Sequence, residues 1–128
     1  MSPPNEVYTS RLHNGLKVIT EEIPSSKSTS IGIWVDVGSR DEEKAYHGCS
    51  HFLEHLLFKG TKRRSAREIS TIIEERGGYL NAFTDRDMTC YHAKVLSGDL
   101  PLAVDVLSDM VANPLLKPED IDTERTVV

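Results

Sequence analysis

Two histidines and a glutamate carry the strongest chemical signal in this sequence. They fall in the run His51-Phe52-Leu53-Glu54-His55. On a helix, residues four apart lie one turn apart on the same face, so the imidazoles of His51 and His55 aim at one point. Neutral imidazole ligates zinc at about 2.0–2.1 Å. Glu54 sits on the neighbouring edge of that face. From there it is placed to take a proton from a water activated by the metal rather than to bind the metal itself. The spacing by itself supports a helical metal site.

The surrounding pattern predicts the elements that must hold these residues. A helix is expected from about Ala45 to Phe58, ending at Gly60. Its apolar side reads Cys49, Phe52, Leu53, Leu56 and Leu57, and His47 falls on the His/Glu side one turn before His51. Upstream, Val7 to Leu12, Asn14-Gly15 and Leu16 to Glu22 read as strand, two-residue turn, strand. Ser28 to Val37 alternates, with Ile31, Ile33, Val35 and Val37 on one face. Downstream, Ser65 and Glu68 form a capping-box pattern ahead of the stripe Ala66, Ile69, Ile72, Ile73, which Gly77-Gly78 ends. Tyr79 to Thr84 and Met88 to Val95 read as strands joined by the turn Asp85-Arg86-Asp87. Leu100 to Asn113 carries Leu102, Val106, Leu107 and Met110 at helical spacing. Lys117-Pro118-Glu119-Asp120 starts a last helix, with proline and acids in the first turn. The order predicts an α/β (α+β) fold: a two-layer sandwich of a mainly antiparallel sheet and helices.

Bulk properties narrow the function. The 128 residues fit one domain and can bury a core without a staple. The formal net charge of −5 argues against a nucleic-acid-binding surface. No apolar run approaches a membrane span, and the start has neither a secretory signal nor an Arg-rich presequence. Cys49 and Cys90 are too few and too far apart for a disulfide framework and read as two core thiols in a reducing compartment. Lys59, Lys62, Arg63, Arg64 and Arg67 read as a solvated basic run, and Trp34 as a packing residue. His13 is expected in solvent at the hairpin, and His92 on a strand facing a partner element.

The motifs taken together resemble the pitrilysin-type (M16) peptidases, near their mitochondrial-processing-peptidase-like bacterial branch. The order HxxEH is the inverzincin arrangement. The resemblance rests on Asn14-Gly15-Leu16, on Gly38-Ser39-Arg40-Asp41-Glu42, and on the run from Ser50 to Thr61. It continues through Gly77-Gly78, Asn81-Ala82-Phe83-Thr84 and Glu124-Arg125-Thr126-Val127-Val128, and so covers nearly the whole chain. It implies zinc as cofactor, His51 and His55 as ligands, and Glu54 as general base. It implies a supporting catalytic role for Glu124, and an edge strand over Asn81, Ala82, Phe83 and Thr84 that takes up substrate backbone by strand addition. The family's closing motif runs roughly ERxVVxxE, and its last glutamate is the third ligand. Val128 stands three positions short of it, so that ligand is expected beyond Val128. The chain is thus expected to be the N-terminal part of the peptidase domain.

The implied activity is that of a zinc metalloendopeptidase on peptides or unfolded segments. The alternative is an inactive fragment that binds peptide or a partner chain. Partners implied are the peptide substrate and either the remaining half of the peptidase or a second copy, with no nucleic acid and no membrane. The implied location is a bacterial-like cytoplasm, or the mitochondrial matrix after removal of a presequence. His47 on a straight helix lies too far from His55 for one metal, since two turns span about 11 Å. Glu124 swinging in, or a carboxylate from another chain, are the other sources of a third ligand. A more distant resemblance, to the S-ribosylhomocysteine lyases with their cysteine ligand, would require Cys90 at the metal.

Overall fold

A computed structural model describes residues 4–127; the first residues of the expected lead-in, and Val128, lie outside the described residues. The element order is β1 (Val7–Arg11), β2 (Lys17–Glu21), β3 (Ser28–Val35), α1 (Cys49–Leu57), α2 (Ala66–Glu74), β4 (Tyr79–Thr84), β5 (Thr89–Leu96), α3 (Leu100–Ala112) and α4 (Pro118–Val127). The strands form two antiparallel sheets among the described residues. One is the hairpin β1–β2, and the other has the order β3-β5-β4.

The core lies between the three-stranded sheet and the helices. Alternation turns Ile31, Ile33 and Val35 of β3 and Leu80 and Ala82 of β4 toward the helices. They meet Tyr91, Ala93 and Val95 of β5, Ile69 and Ile73 of α2, and Val106, Leu107 and Met110 of α3. Ile69, Ile73, Leu107 and Met110 are fully buried, each worth about 1.5–3 kcal/mol relative to exposure. The capping box at α2 forms as expected. Ser65 Oγ accepts from the Glu68 amide at 3.1 Å, and the Glu68 carboxylate accepts from the Ser65 amide at 3.4 Å.

Several expectations need correction. The β1–β2 connection is a three-residue loop. Leu12 and Leu16 pair, the Gly15 amide donates to the Leu12 carbonyl at 2.9 Å, and of the loop residues Gly15 alone has positive φ, at +90°. Asn-Gly therefore serves here as a type I turn with a bulge glycine, not as a two-residue turn. Helix α1 starts at Cys49, not near Ala45, because Gly48 takes φ +88° and breaks the helical path. His47 consequently lies in the linker and not on the helix. Cys49 is exposed and Leu53 is 41% exposed, so neither belongs to the buried side of α1; Cys90 is the buried thiol. Trp34 is 60% exposed and packs edge-on to Phe83 at 5.8 Å. No helix of the described residues is long and apolar enough to cross a membrane.

Candidate metal centre

Helix α1 presents His51, Glu54 and His55 together, half-buried to exposed, against β4 and α4. Their ligand atoms all lie within 4.8 Å of one another. The two Nε2 atoms are 3.1 Å apart. Two nitrogens at tetrahedral positions around zinc stand about 3.3 Å apart, so the spacing suits a shared ion. Two imidazoles beside a carboxylate also suit zinc by donor chemistry.

Each histidine is set by a different neighbourhood. His55 Nδ1 lies 3.1 Å from Glu124 Oε2. An Nδ1–H donating to that carboxylate leaves the Nε2 lone pair facing His51, the tautomer that ligation requires. Glu124 is itself buried, and its Oε1 lies 2.8 Å from Lys59 Nζ. The Lys59 hydrogen bond holds the Glu124 carboxyl below its ordinary value against the opposing effect of burial, and His55 adds to the depression. Glu124 is therefore an ionised buffer between a lysine and an imidazole, and it is already spent on those two partners.

Glu54 points toward the end of β4, where the Thr84 hydroxyl donates to its Oε2. Tyr91 lies beneath. Burial, with the Glu54 charge adding, pushes its phenol up to about 12. It stays neutral beside the carboxylate.

Strand β4 is an edge of its sheet among the described residues. The Ala82 amide donates to the Asn81 side-chain oxygen at 2.8 Å. That amide is thus turned away from β5, and by the antiparallel alternation Ala82 offers its main chain to the open edge. Two clefts flank the histidine pair. One, about 340 Å³, is lined by His51, His47, Thr84 and Arg86 among others. The second, about 350 Å³, includes Glu54, His55, Phe58, Lys59, Asn81 and Glu124. Asn81 and Thr84 therefore reach the site, whereas Phe83 sits opposite Cys90 and against Trp34 on the sheet face away from the helices.

That register disposes of the lyase-like ligand set. Phe83 pairs with Cys90, and Thr84 with Thr89. Thr84 faces Glu54, so its neighbours in the strand face the other way and Cys90 cannot join His51 and His55. The basic run also reads differently in three dimensions. Arg63 and Arg64 both hold Asp105, Arg64 reaches the buried Asp109 at 3.1 Å, and Lys59 holds Glu124. Lys59 is the site residue that sequence reasoning missed. Its only advance signal was its place one turn beyond His55.

The sequence matches the insulinase family (peptidase family M16) over residues 17–128. It is 52% identical over 122 residues to an uncharacterised zinc protease of Streptomyces coelicolor, covering 95% of this chain and 27% of that protein. It is 49% identical over 120 residues to the mitochondrial-processing peptidase subunit beta of Saccharomyces cerevisiae, covering 94% and 26%. A protease from Helicobacter pylori superposes with a TM-score of 0.91 at 31% identity, covering 96% of this chain and 30% of that one. The chain spans about a quarter of the length of the curated relatives it matches. On the family match and these identities together, the chain belongs to the insulinase family, peptidase family M16.

Proposed function

We propose that this chain is the N-terminal part of a zinc metalloendopeptidase domain that hydrolyses extended peptides or unfolded segments. The observation that carries the reading is the convergence of His51, His55 and Glu54 beside an open strand edge. His51 and His55 would hold zinc through Nε2, and a further protein ligand would come from beyond Val128. When bound, zinc would supply Lewis-acid polarisation of the scissile carbonyl and acidify a water.

The remaining steps fall to the chain's own residues. A substrate strand laid along β4 exchanges main-chain hydrogen bonds with Ala82 and its neighbours once the Asn81 side chain releases the Ala82 amide. Glu54 accepts the proton of the attacking water and returns it to the leaving nitrogen. The Thr84 hydroxyl occupies one Glu54 oxygen and steers the other toward the reacting centre. Glu124, braced by Lys59, keeps His55 in the ligating tautomer. The name of the yeast relative makes it one subunit of an assembly. By the same reading this chain works with the rest of its peptidase or with a second copy. The location inferred is a bacterial-like cytoplasm or the mitochondrial matrix, and the mitochondrial name of the yeast relative supports the second.

One observation favours a second reading for the 128 residues taken alone. Among the described residues two imidazoles converge beside Glu54, and Glu124 is committed to His55 and Lys59. The isolated chain would then bind peptide along β4 without turning it over. The test is cleavage of an unstructured, internally quenched peptide by the longer peptidase containing this chain. Glu54→Gln should lower the rate by roughly 100-fold or more while zinc is retained, as expected for loss of a general base. Unchanged cleavage in Glu54→Gln would remove Glu54 from the chemistry.

A further inference from the structure

Helix α1 has no side-chain cap of its own, because its N-cap position is Gly48. Two of the amides at its start, those of Gly48 and Ser50, are nonetheless satisfied. Glu42 Oε1 accepts from the Gly48 amide at 3.0 Å, and Glu42 Oε2 accepts from the Ser50 amide at 2.6 Å. One carboxylate thus closes two neighbouring donors and places its charge at the positive end of the helix dipole. The Ser50 and Gly48 amides hold the Glu42 carboxyl below its ordinary value, so it accepts as a carboxylate at neutral pH.

The segment just before Glu42, residues 38–40, is in turn fastened to the β4–β5 turn. The Ser39 amide donates to the Asp85 carbonyl at 3.0 Å, and the Arg40 amide to the Arg86 carbonyl at 2.9 Å. Arg40 pairs with Asp87 at 2.9 Å, and Asp41 accepts from the Gly38 amide at 3.0 Å. Gly38 runs so close to this turn that a Cβ there would lie 2.5 Å from the backbone of Asp85 and Arg86. The turn follows directly on Thr84, the partner of Glu54. A continuous path therefore leads from the end of β4, through residues 38–42, into the first turn of α1 and on to His51.

We propose that Glu42 is a positioning residue for His51: it fixes the first turn of α1 against the end of β4 and so sets where the His51 imidazole points. Glu42 does not touch metal or substrate, and the proposal rests on the metal-site reading above. The test compares wild type with Glu42→Gln, which keeps the size but loses the charge and one acceptor. Glu43→Gln, a change at an exposed neighbour, serves as control. Amide exchange at Ser50 and Phe52 should accelerate, with Leu56 and Leu57 unchanged. Zinc affinity, read by chelator competition, should fall by about tenfold, the size seen for lost supporting partners of metal ligands.

In the metal-free protein, the NMR contact between the His51 and His55 rings, whose centroids lie 4.6 Å apart, should weaken. Faster exchange with that ring contact intact would make Glu42 a helix cap only and overturn the proposal. No change in either would overturn it as well. If wild type takes up no zinc, the metal-site reading fails, and the ring contact alone decides the role of Glu42. A Glu42→Gln chain with a much lower urea midpoint is replaced by Glu42→Asp, which should show the same pattern at reduced size.

Discussion

The two ends of helix α1 are held in opposite ways. At the His55 end the support comes from distant sequence and centres on one buried carboxylate: Glu124, 69 residues on, lies 3.1 Å from His55 Nδ1 and pairs with Lys59. At the His51 end it is local, a carboxylate eight residues before Ser50 closing on main-chain amides. A buried carboxylate such as Glu124 is costly to leave without its partners. A carboxylate on helix amides is worth less and is more easily replaced by water. The His55 end should therefore be the stiff reference of the site, and the His51 end the adjustable one.

The largest test of this contrast lies beneath the His55 end. The loop that follows α1 carries Lys59 and is tied to α3 through Asp109, which is 3% exposed and accepts from Thr61 at 2.6 Å and Arg64 at 3.1 Å. Arg64 is largely buried and keeps Asp105 as a second partner. Asp109→Ala should thus cost about 3 kcal/mol, at the low end for a buried pair broken from one side, read by urea unfolding. A loss under about 1 kcal/mol, the range of exposed pairs, would mean that the network is not structural.

Next in size is Glu124→Ala. It leaves Lys59 and His55 without their shared carboxylate and should weaken zinc binding by roughly 10–100-fold. A competition assay in which Glu42→Gln loses more affinity than Glu124→Ala would reverse the contrast between the two ends.

Acid should act more gradually. The side chains of Arg63 and Arg64 hold the Asp105 carboxyl down to about 2. For Asp109, burial pushes upward, but the Thr61 hydroxyl and Arg64 outweigh it and the net shift is downward. Glu124 is lowered chiefly by Lys59. Depressed carboxyls stabilise the fold in full above their unfolded values near 4. That contribution is lost as pH falls through the folded values. The urea midpoint should drop between about pH 4 and pH 2, an expectation set by the Asp105 value. It should drop less steeply in Asp105→Asn. A midpoint flat across that window would contradict the ion-pair account.

The smallest effect is expected on the β1–β2 hairpin, where Val7, Leu16 and Ile19 are more than half exposed. Ile19→Ser should change stability by less than about 0.5 kcal/mol and leave zinc affinity unmoved. A larger loss would show that the hairpin packs on the site.

These regions also differ in how far the sequence reveals them. Periodicity marks local geometry, so the i, i+4 histidines, the alternation in β3 and the Ser65/Glu68 box were all legible. It does not say what an element packs against. The hairpin strands and β3 read alike, yet one pair stands in solvent and the other strand lines the core. Polar pairs across 41 to 69 residues, Arg64 with Asp105 and Asp109, and Glu124 with Lys59 and His55, need the fold to bring them together. The α1 start was misplaced because a glycine in an apolar helical pattern gives no sign that it will take positive φ.

The central claim, that His51 and His55 share one metal ion, is tested most directly by titrating the chain with zinc while following the ring nitrogens of its five histidines by NMR. The account predicts that the Nε2 resonances of His51 and His55 shift together and saturate together, while His13, His47 and His92 stay put. A response at one of the pair without the other, or at none of the five, would contradict it.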